Sequence, residues 1–214
     1  MNAQKQTKGT EIKTTVVDYK EKMLQGVDSY LKDKYPSIDY QVMGVIPCGG
    51  IGGALYDLAN VYVTGGDNEA DSFYIKRYKD GDGYRYDDTY FGLLIREDFE
   101  KIVLRISKNY FKTCKVRVSF IEPFDNSLVE GTSLDKFIEL YQNKNRYEFI
   151  DLYTEDTDGL FENNANSFLV EMKKQDFTNL FIYLLDNGKV EELTREKMIA
   201  IAKNEDYIKR INPK

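Results

Sequence analysis

The stretch Ser72-Phe73-Tyr74-Ile75-Lys76-Arg77-Tyr78-Lys79-Asp80-Gly81-Asp82-Gly83-Tyr84-Arg85-Tyr86 decides the fold. Phe73, Ile75 and Arg77 alternate with Tyr74, Lys76 and Tyr78, and successive side chains of a strand point to opposite faces. Asp80-Gly81-Asp82-Gly83 carries the chemistry of a hairpin turn. Tyr84 to Tyr86 then begins a return strand, so the segment reads as an antiparallel hairpin.

Outward from this hairpin, Ile38–Ile46 and Asn60–Val63 read as strands on the N-terminal side. Between them lies the glycine-rich turn Pro47–Gly53. Val17, Leu24, Val27 and Leu31 recur at helical spacing over 16–35, and Pro36 ends that helix. Toward the C-terminus, Tyr90–Ile95 reads as a further strand. A second helix covers Glu97–Phe111, with Phe99, Ile102, Val103, Ile106 and Tyr110 on one stripe. Lys115–Ile121 alternates as a strand, and 123–132 is a loop. Ser133 caps a short helix carrying Leu134, Phe137, Ile138 and Tyr141. Tyr147–Tyr153 suits strand or helix. Glu155–Asn166 reads as loop, Phe168–Met172 and Leu180–Leu185 as strands, and Asp186-Asn187-Gly188 as a turn. Thr194 caps a last helix through Ala202, extended over Asp206–Ile211. The expected class is α+β: an antiparallel sheet with helices packed on one face. A flexible polar tail is expected over 1–15, and a single domain over 16–214 with a subdivision near 125–132.

The chain has 214 residues with 30 Lys+Arg against 36 Asp+Glu, a net charge of −6. That balance repels phosphate backbones and argues against nucleic-acid binding. It suits a basic protein partner, or solubility alone. No apolar run approaches the ~18 residues of a membrane span, and no signal-peptide pattern opens the sequence. The polar start fits two placements: a cytoplasmic protein, or the extracytoplasmic part of an exported protein left on a polar tether. Cys48 and Cys114 lack CxxC spacing, which excludes a cysteine-rich zinc site. They read as two separate buried thiols or as one disulfide.

The chain contains no histidine. Ser-His-Asp and Cys-His nucleophile systems, HExxH zinc sites and histidine-ligated iron or copper are therefore ruled out in their usual forms. The Gly49–Gly53 cluster follows a strand but matches neither GxGxxG nor a P-loop. The acidic turns Asp80/Asp82/Asp87/Asp88 and Asp156/Asp158 lack the ligand spacing of a calcium loop. Turn chemistry accounts for their Asp and Gly content. Paired carboxylates, with Asp87, Asp88, Glu97 and Asp98 among the candidates, would serve a glycoside hydrolase, but nothing selects a pair. No cofactor or metal site is expected.

The aromatic content near the hairpin carries the functional reading. Tyr74, Lys76, Tyr78, Tyr84, Tyr86 and Tyr90 fall on or beside it, and tyrosine is enriched at protein interfaces. Against this, the chain holds 17 tyrosines, and half-buried sheet cover would use them equally well.

The run Asp87–Glu100, in which Tyr90-Phe91 leads into the Glu97 helix, resembles a segment of poorly characterised exported lipoproteins of low-GC Gram-positive bacteria. The likeness covers the order of elements over 16–124. It implies an α+β domain outside the membrane on a polar tether, and brings no catalytic residues with it. The expectation is a non-catalytic protein-binding module, such as an immunity or surface-accessory protein. A carboxylate- or metal-dependent hydrolase is the alternative.

Overall fold

The computed structural model describes residues 4–47, 56–66, 69–124, 126–141, 148–177 and 179–212, with side chains from Tyr19 onward except that of Tyr56. The glycine cluster, Cys48 and the Val17 side chain lie outside the described residues. The protein is α+β and forms two compact units: Met1–Asp88 with Asp125–Glu130, and Thr89–Phe124 with Gly131–Lys214.

In the first unit, helix α1 (Gln4–Lys34) precedes strands β1 (Tyr40–Ile46), β2 (Tyr56–Val63), β3 (Ser72–Asp80) and β4 (Gly83–Asp88). The strands form an antiparallel sheet in the order β1-β2-β3-β4. Helix begins at Gln4, within the segment expected as a flexible tail. The hairpin is present as expected, with Asp80 opposite Gly83, Lys79 opposite Tyr84 and Arg77 opposite Tyr86. Gly81 has φ +56°, where a side chain would be strained. Met23, Val27 and Leu31 of α1 are fully buried, as are Ala59, Val61 and Ile75 of the sheet.

The second unit runs α2 (Tyr90–Ser107), β5 (Cys114–Phe120), α3 (Leu134–Tyr141), β6 (Glu148–Glu155), α4 (Phe161–Lys174), β7 (Leu180–Leu185), α5 (Arg195–Asn204) and β8 (Lys209–Ile211). Its sheet order is β5-β6-β7-β8, and β6 and β7 are parallel while the other pairs are antiparallel. Helix α4 makes the crossover that a parallel pair requires. A phenylalanine cluster joins helices to sheet: Phe99 meets Phe120 and Phe137 edge-on at 5.7 and 6.3 Å. Phe111, just after α2, meets Phe168 of α4 at 5.7 Å. Tyr153, Tyr183 and Leu185 alternate onto the other face and pack against Val190, Leu193 and Met198. The second sheet is therefore covered on both sides.

Three expected elements are corrected. Tyr90–Ile95 is helix, because Phe91, Ile95, Phe99 and Val103 form one buried stripe at helical spacing. Phe168–Met172, expected as a strand, and the end of the loop expected over Glu155–Asn166 are both part of helix α4, for the same reason: Phe161, Ala165, Phe168 and Met172 are all buried. Asp206–Ile211 does not extend the last helix. Glu205 turns left-handed at φ +57°, and Ile208 N–H donates to Leu184 O to rejoin the sheet. Both expected caps are formed, Ser133 Oγ accepting from Lys136 N and Thr194 Oγ1 from Lys197 N. Among the described residues, no helix is long and apolar enough to cross a membrane.

Candidate functional site

Strand alternation divides the expected tyrosine set. Tyr84 and Tyr86 share a sheet face with Arg77, through the pairings Lys79–Tyr84 and Arg77–Tyr86. This is the face under α1. The Tyr86 ring stacks on Tyr30 at 5.4 Å, and its hydroxyl meets Gly26, where an added Cβ would lie 2.0 Å away. Tyr86 is thus part of the helix–sheet packing. Tyr74, Lys76 and Tyr78 occupy the other face. Lys76 is buried, with its ammonium 5.7 Å from the Tyr74 ring. Tyr90 begins α2 in the second unit. The six residues therefore do not form one patch.

The far end of the hairpin does bring two of them into a common design. On one face Tyr84 lies beneath two cations, with the Arg77 guanidinium 4.1 Å and the Lys79 ammonium 5.0 Å from its ring centre. On the other face the Arg85 guanidinium lies 4.7 Å from the Tyr78 ring. Arg85 also reaches Asp87 at 3.3 Å. Tyr84 remains 47% exposed, whereas Arg77 is buried. Arg77 Nε donates to Asp57 at 2.7 Å, and Tyr19 donates to the same carboxylate. The hairpin end thus presents aromatic rings whose cation partners are already in place.

A second cluster was hidden in the sequence. Asp88 has no solvent exposure; it accepts from Tyr30 Oη at 2.5 Å, Tyr35 Oη at 3.1 Å and Lys34 Nζ at 2.7 Å. Asn126 Oδ1 accepts from Tyr30 and Lys34, while its Nδ2 donates to Tyr86 O. Burial, then the adjacent Asp88 carboxylate, raises the Tyr30 phenol far above its ordinary value. Burial and the bond to Asp57 push Tyr19 up to about 12. This cluster fastens the end of α1 to β4. It also accounts for two of the four turn aspartates, since Asp88 and Asp87 are committed to protein cations and amides.

In the second unit, Asp151 pairs with both Arg117 nitrogens that reach it. Burial raises the Asp151 carboxyl, against the lowering effect of Arg117. Asp156 and Asp158 accept from Phe161 N and Leu160 N, so both carboxylates serve the backbone where the turn leads into α4. Among the described residues no group of three or more acidic or cysteine side chains is arranged to hold a metal ion. Cys114 is a free thiol 3.1 Å from Ser107 Oγ, and burial raises its pKa.

No protein-family model matches the chain, and no curated protein matches it. A crystal structure of a DUF5037 family protein from Ruminococcus gnavus ATCC 29149 is similar over 77% of this chain and 75% of that one. The identity is 12% and the TM-score 0.42.

Proposed function

We propose that the chain is a non-catalytic binding protein that holds another protein on the end of its β3–β4 hairpin. The observation supporting this reading is the pair of cation-bearing tyrosines there, Tyr84 with Arg77 and Lys79, and Tyr78 with Arg85. Tyrosine and arginine dominate the energetics of protein interfaces. Side chains already held in place lose less rotamer freedom on docking. An immunity protein or a surface-accessory protein would use such a site. The buried aspartates Asp57, Asp88 and Asp151 are each engaged by a cation, which ties up these three carboxylates.

The test is quantitative binding to candidate partners captured from the source organism's own proteins. Tyr84→Ala with Arg85→Ala is expected to weaken capture by roughly 30-fold or more, as loss of a hot-spot residue does. The circular dichroism spectrum should not change, because both side chains are largely exposed. Val170→Ser on the exposed side of α4 serves as the control and should bind as wild type does. Equal capture by the double variant would remove the hairpin from the interface.

A further inference from the structure

We propose that a cleft in the second unit, at the carboxyl end of β7, binds a small organic cation: a primary amine on a short aliphatic chain. Open sheets with parallel strands place ligands beyond the carboxyl ends of those strands. Here β6 and β7 are the parallel pair. Where β7 ends, the chain makes the Asp186–Lys189 turn, runs into α5, then reverses at Glu205 and returns to the sheet at Ile208. These segments enclose a cleft of about 500 Å³. Ligand sites typically span ~300–1,000 Å³.

The lining selects the ligand class. Its floor is apolar, with Leu185, Leu193 and Ile201, and suits methylene groups. Its rim carries the carboxylates of Asp186, Glu192, Glu205 and Asp206 against the ammonium groups of Lys189 and Lys197, a net charge of −2. Lys197 Nζ is drawn aside, donating to Glu192 O at 3.1 Å. The C-terminal turn of α5 also borders the cleft through Ala200, Ile201 and Asn204. A helix C-terminus carries about half a negative charge on its last carbonyls. An anion would meet both the carboxylates and this helix end, and a neutral ligand would gain nothing from either. A cation with an aliphatic body satisfies floor and rim together.

Cadaverine is the probe, followed by amide NMR shifts on the whole chain, with 1,5-pentanediol and glutarate as its neutral and anionic counterparts. Saturable shifts confined to 185–193 and 200–208 are expected for cadaverine alone. N-acetyl-lysine methylamide is a separate arm, and tighter binding of it than of cadaverine would overturn the small-molecule assignment in favour of a protein lysine. Glu192→Gln and Asp206→Asn, both at exposed positions, should each weaken cadaverine about two- to fivefold. Lys189→Gln should strengthen it by about twofold, since it removes a repelling charge. Shifts scattered over surface carboxylates without saturation, affinities unmoved by all three variants, or glutarate binding in the cleft would each overturn the proposal.

Discussion

The two units fasten helix to sheet by different chemistry. In the first, Tyr19, Tyr30 and Lys34 of α1 and Tyr35 just after it close on buried carboxylates, Tyr30, Tyr35 and Lys34 on Asp88, and Tyr19 on Asp57. In the second, phenylalanine rings meet edge-on: Phe99, Phe120, Phe124 and Phe137 lie with centroids 5.2 to 6.3 Å apart. Ring packing is indifferent to protonation and tolerant of small shifts. A buried carboxylate network has a defined geometry and fails when one member is removed. The first unit therefore adds to its apolar core of Met23, Val27 and Leu31 a vulnerable set of polar atoms, whereas the ring cluster of the second spreads its contacts over several phenylalanines.

The sharpest way to break this contrast is Asp88→Ala. Lys34 is 7% exposed in its side chain and Asp88 0%. Removing the carboxylate leaves the buried Lys34 ammonium with only the neutral oxygens of Tyr30 and Asn126, and loss of one partner from a buried ion pair costs about 3–5 kcal/mol. Hydrogen exchange should show lost protection in α1 and β4 while β6 and β7 keep theirs. Equal losses in both units would end the distinction.

Alkaline titration has a smaller effect and probes the buried phenols that the two units share. Tyr30 in the first unit and Tyr153 in the second both have phenols raised by burial, and Tyr19 and Tyr183 are pushed up to about 12. The unfolded chain releases these protons near pH ~10. Folded pKa values above the unfolded one contribute stability that is complete below about pH 10 and is lost as pH rises toward 12. For Tyr30 and Tyr153 the loss is about 1.4 kcal/mol per pH unit each, and less for the more exposed Tyr19 and Tyr183. Phenolate absorbance should rise in two steps, the second coinciding with unfolding. A single step near the ordinary tyrosine value would show these hydroxyls to be open to solvent.

The hairpin was legible because its period of two and its turn residues are local signals. Its tyrosines were legible too, but their partners were not. Arg77 and Arg85 reach Tyr84 and Tyr78 only through the sheet register, and that register also sends Tyr86 under α1. The Asp88 network joins residues 54 positions apart, a distance no spacing rule covers. In the second unit, the apolar run Tyr90–Ile95 fits a strand or a buried helix equally well by composition. Packing settles the matter: Gly92 sits against Phe120, which only a helix laid on β5 brings about. The asparagines of Glu162–Asn166 masked the four-residue step from Phe161 to Ala165.

The smallest effect is the most diagnostic, because among the described residues each unit has a helix glycine under an aromatic ring, Gly26 and Gly92. At Gly92 an added Cβ would lie 2.6 Å from Phe120 Cδ2 and 3.0 Å from its Cβ and Cγ. Phe120 Cβ is fixed to strand β5, so Gly92→Ala forces helix and strand apart. Overpacking of this kind costs about 1–3 kcal/mol, against up to ~1 kcal/mol gained from alanine's helix propensity. At Gly26 the obstacle is the tip of Tyr86, with Oη at 2.0 Å and Cζ at 3.0 Å, and a tip can swing where a Cβ cannot. Gly26→Ala should therefore cost less, its helix gain of ~1 kcal/mol offsetting much of the displaced Tyr30–Tyr86 stack. Urea midpoints of the two variants give the comparison directly. If Gly26→Ala proves the more damaging, the polar clasp of the first unit is less able to absorb a shift than the ring cluster of the second. The contrast between them would then extend from chemistry to mechanical tolerance.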